Sequence, residues 1–427
     1  ALIQNNKIGV DATGLVALSQ FEGIQISGGS TNRIIGNVIS GNTTAIGAGA
    51  GIVSSSIGTR IENNLIGLGI DGVTVIPNAT GIILGGQGGI IGGENSGIVT
   101  VGNFVTGNLN DQVRLEIGPG GFGIIQGNTL GLDRLGGGSS GTKTGTGSGV
   151  GGTTSSGGVK VGGATPGARN VISGNDGDGI QLGVINLGTG VSNVEIVNNY
   201  IGTDANGNDA NVGNAGNGVY IGSLADLISI HDNRIAYNGL RGVQIPTSSV
   251  PAESGFSVEI SRNEVFSNGR IVLPDNGMNV DLGILGPTPN DLGDADVGGN
   301  GLQNYPLISS ATTSGGLVTI SGQFNSLPNN RYRLEFFYSA NCVNNIPNTI
   351  SQFLSATYAY TGGTAASVTP FSVQFTIPNG FPVSAQIQSV AINSPLLKTR
   401  YRPTALIKQN LPEVENTSEY SPCFTSN

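Results

Sequence analysis

The sequence predicts an all-β protein, a long parallel solenoid followed by a small antiparallel β-sandwich, and three observations carry that prediction. First, a motif recurs in which apolar residues flank an Asn and a Gly-led strand follows. It reads Ile61-Glu62-Asn63-Asn64-Leu65-Ile66-Gly67, Ile196-Val197-Asn198-Asn199-Tyr200-Ile201-Gly202 and Ile230-His231-Asp232-Asn233-Arg234-Ile235. Further copies centre on Asn6, Asn37, Asn103, Asn128, Asn170 and Asn263. Second, a Gly-led alternating run lies between copies, as in Gly81-Ile82-Ile83-Leu84, Gly179-Ile180-Gln181-Leu182 and Gly218-Val219-Tyr220-Ile221. Self-similarity at roughly 25 to 40 residues marks stacked units rather than one globular core. Third, no stretch places apolar residues at i, i+3, i+4 and i+7, so helices are expected to be scarce.

Composition bounds the remainder. The 427 residues include 73 Gly, well over twice the usual share of about 7%. Apolar residues nonetheless make up 37%, a content that disordered chains lack. Charged residues are only 11%, with a net charge of −9, so Asn, Ser, Thr and Gly must cover much of the surface. An acidic balance argues against nucleic acid as the main partner, because phosphate binding needs clustered Lys and Arg. No apolar run reaches the length that spans a bilayer. The chain opens inside a repeat, at Leu2-Ile3-Gln4-Asn5-Asn6. A first coil without a cap reads as processed or truncated, or as covered by something else.

Residues 1–303 carry the repeats, about nine coils. Each apolar run is short, rich in Ile and Val, and ended by Gly, Asn or Asp, as strands are. Alternation sets the facing: Ile180 and Leu182 point inward and Gln181 outward. Each coil leaves backbone groups for the next to satisfy at about 4.8 Å, giving a rod near 45 Å long. The recurring Asn positions (Asn6, Asn37, Asn64, Asn103, Asn128, Asn170, Asn199, Asn233 and Asn263) mark turns, where Asn tolerates left-handed angles and bonds nearby backbone. Stacked in register, they would form a ladder of amides. Alternate coils carry a longer excursion, as in Gly9-Val10-Asp11-Ala12-Thr13-Gly14 and Gly202-Thr203-Asp204-Ala205-Asn206-Gly207, so the unit reads as a pair of coils with the long loops expected on one side. A Gly/Ser/Thr-rich tract near 136–158 has the composition of a linker or loop.

Near residue 300 the pattern changes. Longer alternating strands follow, among them Leu317–Phe324, Tyr332–Tyr338 and Phe371–Ile377, and aromatic residues concentrate there. Strands of this spacing with Pro/Asn/Gly turns indicate a β-sandwich over 304–427. The two cysteines, Cys342 and Cys423, both fall in this segment. They are read as a disulfide closing a loop of about 80 residues, worth roughly 4 kcal/mol in the chain-entropy treatment, against the alternative of two free core thiols. A disulfide implies an oxidising, extracytoplasmic setting.

The run Arg169-Asn170-Val171-Ile172-Ser173-Gly174-Asn175, the segment Asn199-Tyr200-Ile201-Gly202-Thr203-Asp204-Ala205-Asn206-Gly207, the acidic Pro289-Asn290-Asp291-Leu292-Gly293-Asp294-Ala295-Asp296 and the closing Asn416-Thr417-Ser418-Glu419-Tyr420-Ser421-Pro422-Cys423 resemble those of bacterial secreted right-handed parallel β-helix proteins. The resemblance covers essentially the whole chain. It implies a right-handed helix, an immunoglobulin-like sandwich with a Cys near its end, and secretion. The wider β-helix group includes pectate lyases, alginate lyases, epimerases, tailspikes and adhesins, and the fold alone does not choose among them.

The site residues are few. A single His and two bridged Cys exclude a Cys/His zinc site and a His-dependent Ser triad. His231 reads as a solvent-facing repeat position. Glu62, Glu116, Glu195, Glu259 and Asp281, like Arg33, Arg60, Lys160, Arg234, Arg241 and Arg262, read as scattered over distant coils, with Glu259 and Arg262 forming a surface salt bridge. No catalytic residue is assigned. Two oxygen-rich turns have the donor type that suits Ca²⁺, which is the one cofactor the sequence offers: Asp204, Asn206, Asn208 and Asp209, and then Asp291, Asp294 and Asp296. The expectation is an extracellular structural protein, a subunit of a surface filament, matrix fibre or adhesin, that self-associates end to end. The alternative is a polysaccharide-binding or polysaccharide-cleaving β-helix with cell-surface glycans as partners.

Overall fold

A computed structural model describes residues 1–44, 48–96, 100–137, 147–152, 157–183, 191–222, 225–246, 257–271, 278–296, 298–344, 346–393 and 417–427. Residues 138–146 and 153–156 of the Gly/Ser/Thr-rich tract lie outside them. Up to residue 283 the described chain winds as a parallel β-solenoid with three faces. Face A stacks Leu2–Gln4, Arg33–Ile35, Thr59–Glu62, the later parts of Thr80–Gly92 and Val113–Gln126, then Gly158–Gly162, Ser192–Val197, Asp226–His231 and Val258–Ser261. Face B stacks Glu22–Ile26, Ala50–Ser54, the earlier parts of the same two long strands, then Val150–Gly152, Ile180–Leu182, Val219–Ile221, Val243–Pro246 and Val280–Gly283. Face C is a nine-stranded sheet of two- and three-residue strands from Lys7–Ile8 to Glu264–Phe266.

Period-2 alternation places one aliphatic side chain per coil on the axis of each face. On face A the inward column runs Ile3, Ile34, Ile61, Ile91, Ile125, Val161, Ile196, Ile230 and Ile260, and all but Ile3 are buried. β-branched residues suit this stack because they pack well on a pleated surface. Each such Ile contributes about 1.5–3 kcal/mol on burial.

The excursions leave the corner after face C. Val10, Leu68 and Ile76 fold back over Val38, Leu65 and Phe104, and Leu132 packs with Val171 and Val212, making small satellite cores outside face C. Successive excursions touch: Ile70 N–H donates to Gly14 O at 3.0 Å and Arg134 N–H to Gly72 O at 3.0 Å. The long loops therefore gather on one side. The corner needs glycine where the chain turns outward. Gly67 sits at φ +86°, and a Cβ there would strike the carbonyl of Thr106 in the coil above.

Beyond residue 306 the sheets are antiparallel. A three-stranded sheet joins Leu307–Ser314, Leu317–Phe324 and Thr369–Thr376, and a four-stranded sheet joins Gln352–Tyr360, Arg331–Ser339, Gln386–Asn393 and Phe424–Thr425. Their inner faces share one core, with Val318, Ile320 and Phe371 from the first and Tyr332, Leu334, Phe336 and Ile387 from the second. Cys342 and Cys423 form a disulfide across 81 positions, tying the C-terminal strand to the short hairpin that includes Cys342–Val343 and Ile346–Pro347.

Candidate functional site

The Asn residues at the corner between faces A and C form a continuous ladder. Asn6 Nδ2 donates to Asn37 Oδ1 at 3.0 Å, and the same bond repeats from Asn37 to Asn64, Asn103, Asn128, Asn170, Asn199, Asn233 and Asn263 at 2.9–3.1 Å. Each Oδ1 also accepts the backbone N–H of the Asn below it, as Asn233 Oδ1 does from Asn199 at 2.8 Å. The second Nδ2 hydrogen reaches the backbone, as from Asn199 to Val161 O at 2.9 Å. All but Asn6 are buried, so the ladder satisfies polar groups that burial would otherwise penalise.

A second ladder occupies the corner between faces C and B. Asn42 donates to Asn78, Asn78 to Asn108 and Asn108 to Gln112; Asn175 donates to Asn214, Asn214 to Asn238 and Asn238 to Asn268. Its sequence signal was the Ser/Thr-Gly-Asn recurring at Ser40-Gly41-Asn42, Thr106-Gly107-Asn108 and Ser173-Gly174-Asn175.

The upper edge of the last coil is closed by side chains from the C-terminal region. Val258 N–H donates to Asn300 Oδ1 at 3.0 Å, Ile260 N–H to Thr417 Oγ1 at 2.8 Å, Arg262 N–H to Glu335 Oε2 at 2.9 Å and Leu282 N–H to Glu419 Oε1 at 2.9 Å. On face C, Ser267 N–H donates to Pro347 O at 3.1 Å. An open ladder edge would recruit another strand; here its donors are met. Glu335 and Glu419 are almost fully buried. Burial pushes each up to about 7, against the opposing pull of Arg333 and Arg262 on Glu335 and of the Leu282 and Thr288 amides on Glu419.

Charged residues that looked dispersed in sequence stack on the outer side of face A. Lys160 Nζ meets Glu195 at 3.0 Å, and His231 contacts Glu195 through Nε2 at 3.2 Å and Asp232 through Nδ1 at 2.7 Å. Arg262 pairs with Asp232 at 2.7 Å rather than with Glu259, whose partner is Arg333 at 2.8 Å. The expected Glu259–Arg262 bridge is therefore replaced, because the sandwich strand Arg331–Ser339 supplies the nearer cation. His231 is only 18% exposed and belongs to this network instead of facing solvent alone. Burial opposes its charge, but Asp232 and Glu195 overcome it and raise the imidazole to about 9. Elsewhere Arg33 and Arg60 both meet Glu62, at 2.8 and 3.3 Å. The chain thus uses these groups as stacked ion pairs.

The two oxygen-rich turns differ. Asp204 Oδ1 accepts the amides of Asn206 and Asn208, at 2.9 and 2.7 Å, and Asp209 pairs with Arg270. These carboxylates bond their own loop and a neighbouring cation. Asp291, Asp294 and Asp296 instead converge, each offering an oxygen within 4.8 Å of the others. Asp294 accepts Asn304 N–H at 2.9 Å and Ser326 Oγ–H at 2.6 Å. Asp291 Oδ1 and Asp296 Oδ1 are buried with no hydrogen-bond donor. Burial raises Asp294 to about 6, and Asp296 and Asp291 add to the shift.

Face B carries a further set of polar residues. Its register puts Asp111, Ser148 and Asp178 in one column, and Gly151, Gln181, Tyr220, Gln244 and Asp281 in the outward column beside it. Asp111 accepts Ser148 N–H at 3.1 Å and pairs with Arg114 Nε at 3.1 Å. Its carboxylate lies against Gly151, where a Cβ would collide with it. Asp178 Oδ1 accepts Asn217 N–H at 2.6 Å and Nδ2–H at 3.0 Å. Burial lifts Asp178 to about 6 against those two donors. Arg241 and Asp281, both buried, form an ion pair.

No protein-family model matches the chain, and no curated protein matches it. Among solved structures, it is similar to the enzymatically active domain of tailspike protein 2 of bacteriophage CBA120, with 10% identity and a TM-score of 0.22, covering 91% of this chain and 53% of that one. The chain spans about half the length of that structure. A likeness this slight carries no argument about activity.

Proposed function

We propose that this protein is an extracellular structural rod, a filament, matrix or adhesin subunit whose solenoid is held by its Asn ladders and terminated by an immunoglobulin-like sandwich. The observation that carries this reading is the pairing of an eight-step buried ladder with a side-chain cap at its C-terminal end. Both features serve rigidity and termination. The disulfide fits an oxidising compartment. At the other end, Leu2–Gln4, Lys7–Ile8 and Glu22–Ile26 pair with the second coil alone, and Leu2 and Phe21 are 59% and 58% exposed. In this reading rods associate end to end, with a further strand pairing to the backbone groups of these first strands. Sedimentation and negative-stain microscopy test this. The expectation is concentration-dependent association that Ile3→Lys abolishes; a monodisperse monomer at high concentration refutes it.

A second reading concerns the junction. Three convergent aspartates with two donorless buried oxygens fit a hard cation, because Ca²⁺ takes six to eight oxygens and stabilises charge that burial disfavours. Asp291, Asp294 and Asp296 would hold it, and the ion would brace the solenoid against the sandwich. Calcium titration followed by calorimetry tests this: binding lost in Asp296→Asn supports it, and no heat at millimolar calcium refutes it.

A further inference from the structure

We propose that face B hydrolyses a neutral polysaccharide, with Asp178 as general acid and Asp111 as general base on either side of Gln181. This goes beyond the structural reading and does not depend on it. Asp111 and Asp178 share a column two coils apart, which is about 9.6 Å along the axis. Both carboxylates lean toward the following coil, onto Ser148 N–H and Asn217 N–H, so the separation is kept. It lies just above the roughly 6.5–9.5 Å that lets a water fit between an inverting pair and the sugar, a gap that a small side-chain movement closes.

The two carboxyl groups occupy opposite environments. Asp111 is ion-paired with Arg114 and lies in the space left open by Gly151. Asp178 has no cation, its hydrogen bonds fall on Oδ1, and Oδ2 has no partner among the described residues. Burial keeps it protonated to about 6, as an acid catalyst requires. Between them Gln181 is half-buried and accepts Ser148 Oγ–H on Oε1 at 3.2 Å, which leaves Nε2 to donate outward. Gln181 and Tyr220 then rise one per coil at about 4.8 Å, two half-buried polar groups on which successive sugar rings can rest. Arg114 and Arg241 are each paired with an aspartate, so a neutral glycan suits this face better than a polyanion.

In the step, Asp178 gives its proton to the bridging oxygen as the bond from that oxygen to the anomeric carbon breaks. Asp111 takes a proton from the water whose oxygen bonds to that carbon on the opposite side. One water is consumed, and a hemiacetal of inverted configuration and an alcohol leave. No electrons are exchanged, and proton return from Asp111 to Asp178 through solvent resets the pair.

The test incubates the full chain with a neutral β-glucan, a mannan, a galactan and a rhamnan, measures reducing ends, and reads the first anomer released by proton NMR. The proposal expects release from at least one with inversion. It expects Asp178→Asn to lower the rate by about 10²–10⁴-fold with an unchanged melting temperature. Azide should restore turnover to Asp111→Ala as a glycosyl azide, measured below that variant's own melting temperature. No release from any of the four, a retained anomer, an active Asp178→Asn, or no azide rescue each overturns it. Rod assembly, followed by sedimentation on the same samples, fails or holds independently.

Discussion

Replacing Asn199 by Ala removes one rung from the middle of the first ladder, and its cost can be worked from the bonds it makes. Asn199 is fully buried. Its Nδ2 donates to Val161 O at 2.9 Å, Val197 O at 3.1 Å and Asn233 Oδ1 at 3.0 Å, while its Oδ1 accepts from Asn170 N and Nδ2. After truncation Asn170 Nδ2 keeps Ile125 O, and Asn233 Oδ1 keeps the Asn199 amide. Asn170 N–H loses its acceptor, and Val161 O and Val197 O each lose a donor. Three buried groups left short, at about 1–3 kcal/mol each, give a loss of roughly 3–9 kcal/mol. Asn6→Ala at the solvated end leaves its neighbours reachable by water and should cost well under 1 kcal/mol. Urea unfolding monitored by circular dichroism gives both numbers, and hydrogen exchange locates the effect. In a solenoid the loss is local, so amides on the strands around Val161, Ile196 and Ile230 should open first. Equal losses for Asn199→Ala and Asn6→Ala, or unchanged exchange around Ile196, would refute the reasoning.

Three further outcomes are expected. Cys342→Ser frees an 81-position loop and should destabilise the C-terminal sheets by roughly 4 kcal/mol in urea, with little change in the solenoid transition. Glu335 and Glu419 have folded-state values near 7, above the ordinary 4.5, so their contribution is full below about 4.5 and is lost as pH rises through 7. His231, raised from 6.5 to about 9, contributes fully below 6.5 and is lost as pH rises through 9. Limited proteolysis of the cap should therefore quicken between pH 5.5 and 9, and Glu335→Gln should flatten the lower part of that rise. Gly67→Ala, at φ +86° and facing Thr106 O, should lower the solenoid's stability by more than the roughly 1 kcal/mol that a left-handed Ala costs elsewhere, as measured by urea melting.

The solenoid was legible because its signal is local: an Asn, a Gly and an inward Ile lie within one short motif. The stacked charges were not, because column neighbours depend on coil length, and coils vary. Successive Asn rungs lie 31, 27, 39, 25, 42, 29, 34 and 30 residues apart. Lys160, Glu195 and His231 therefore meet without any fixed spacing in sequence. The same variation hid Asp111 and Asp178, separated by 67 positions but two coils apart. Glu335 and Glu419 were illegible for another reason: they cap strands from far along the chain, and no local pattern announces a long-range cap.

The Asn rungs all point one way. In both corners the amide of one coil donates to the oxygen of the next, from the first coil toward the sandwich. Side-chain amide dipoles therefore add along the axis instead of cancelling, as peptide dipoles do in an α-helix, and each bond polarises the next. The rod is electrically polar, with its carbonyl-oxygen end negative at Asn6 and its N–H end positive at Asn263. Glu335 and Glu419 lie buried at that positive end. Two rods lying side by side would find antiparallel alignment electrostatically favourable, and two rods in line would prefer the same sense, so the ladder that holds each coil to the next also gives the assembled material a direction.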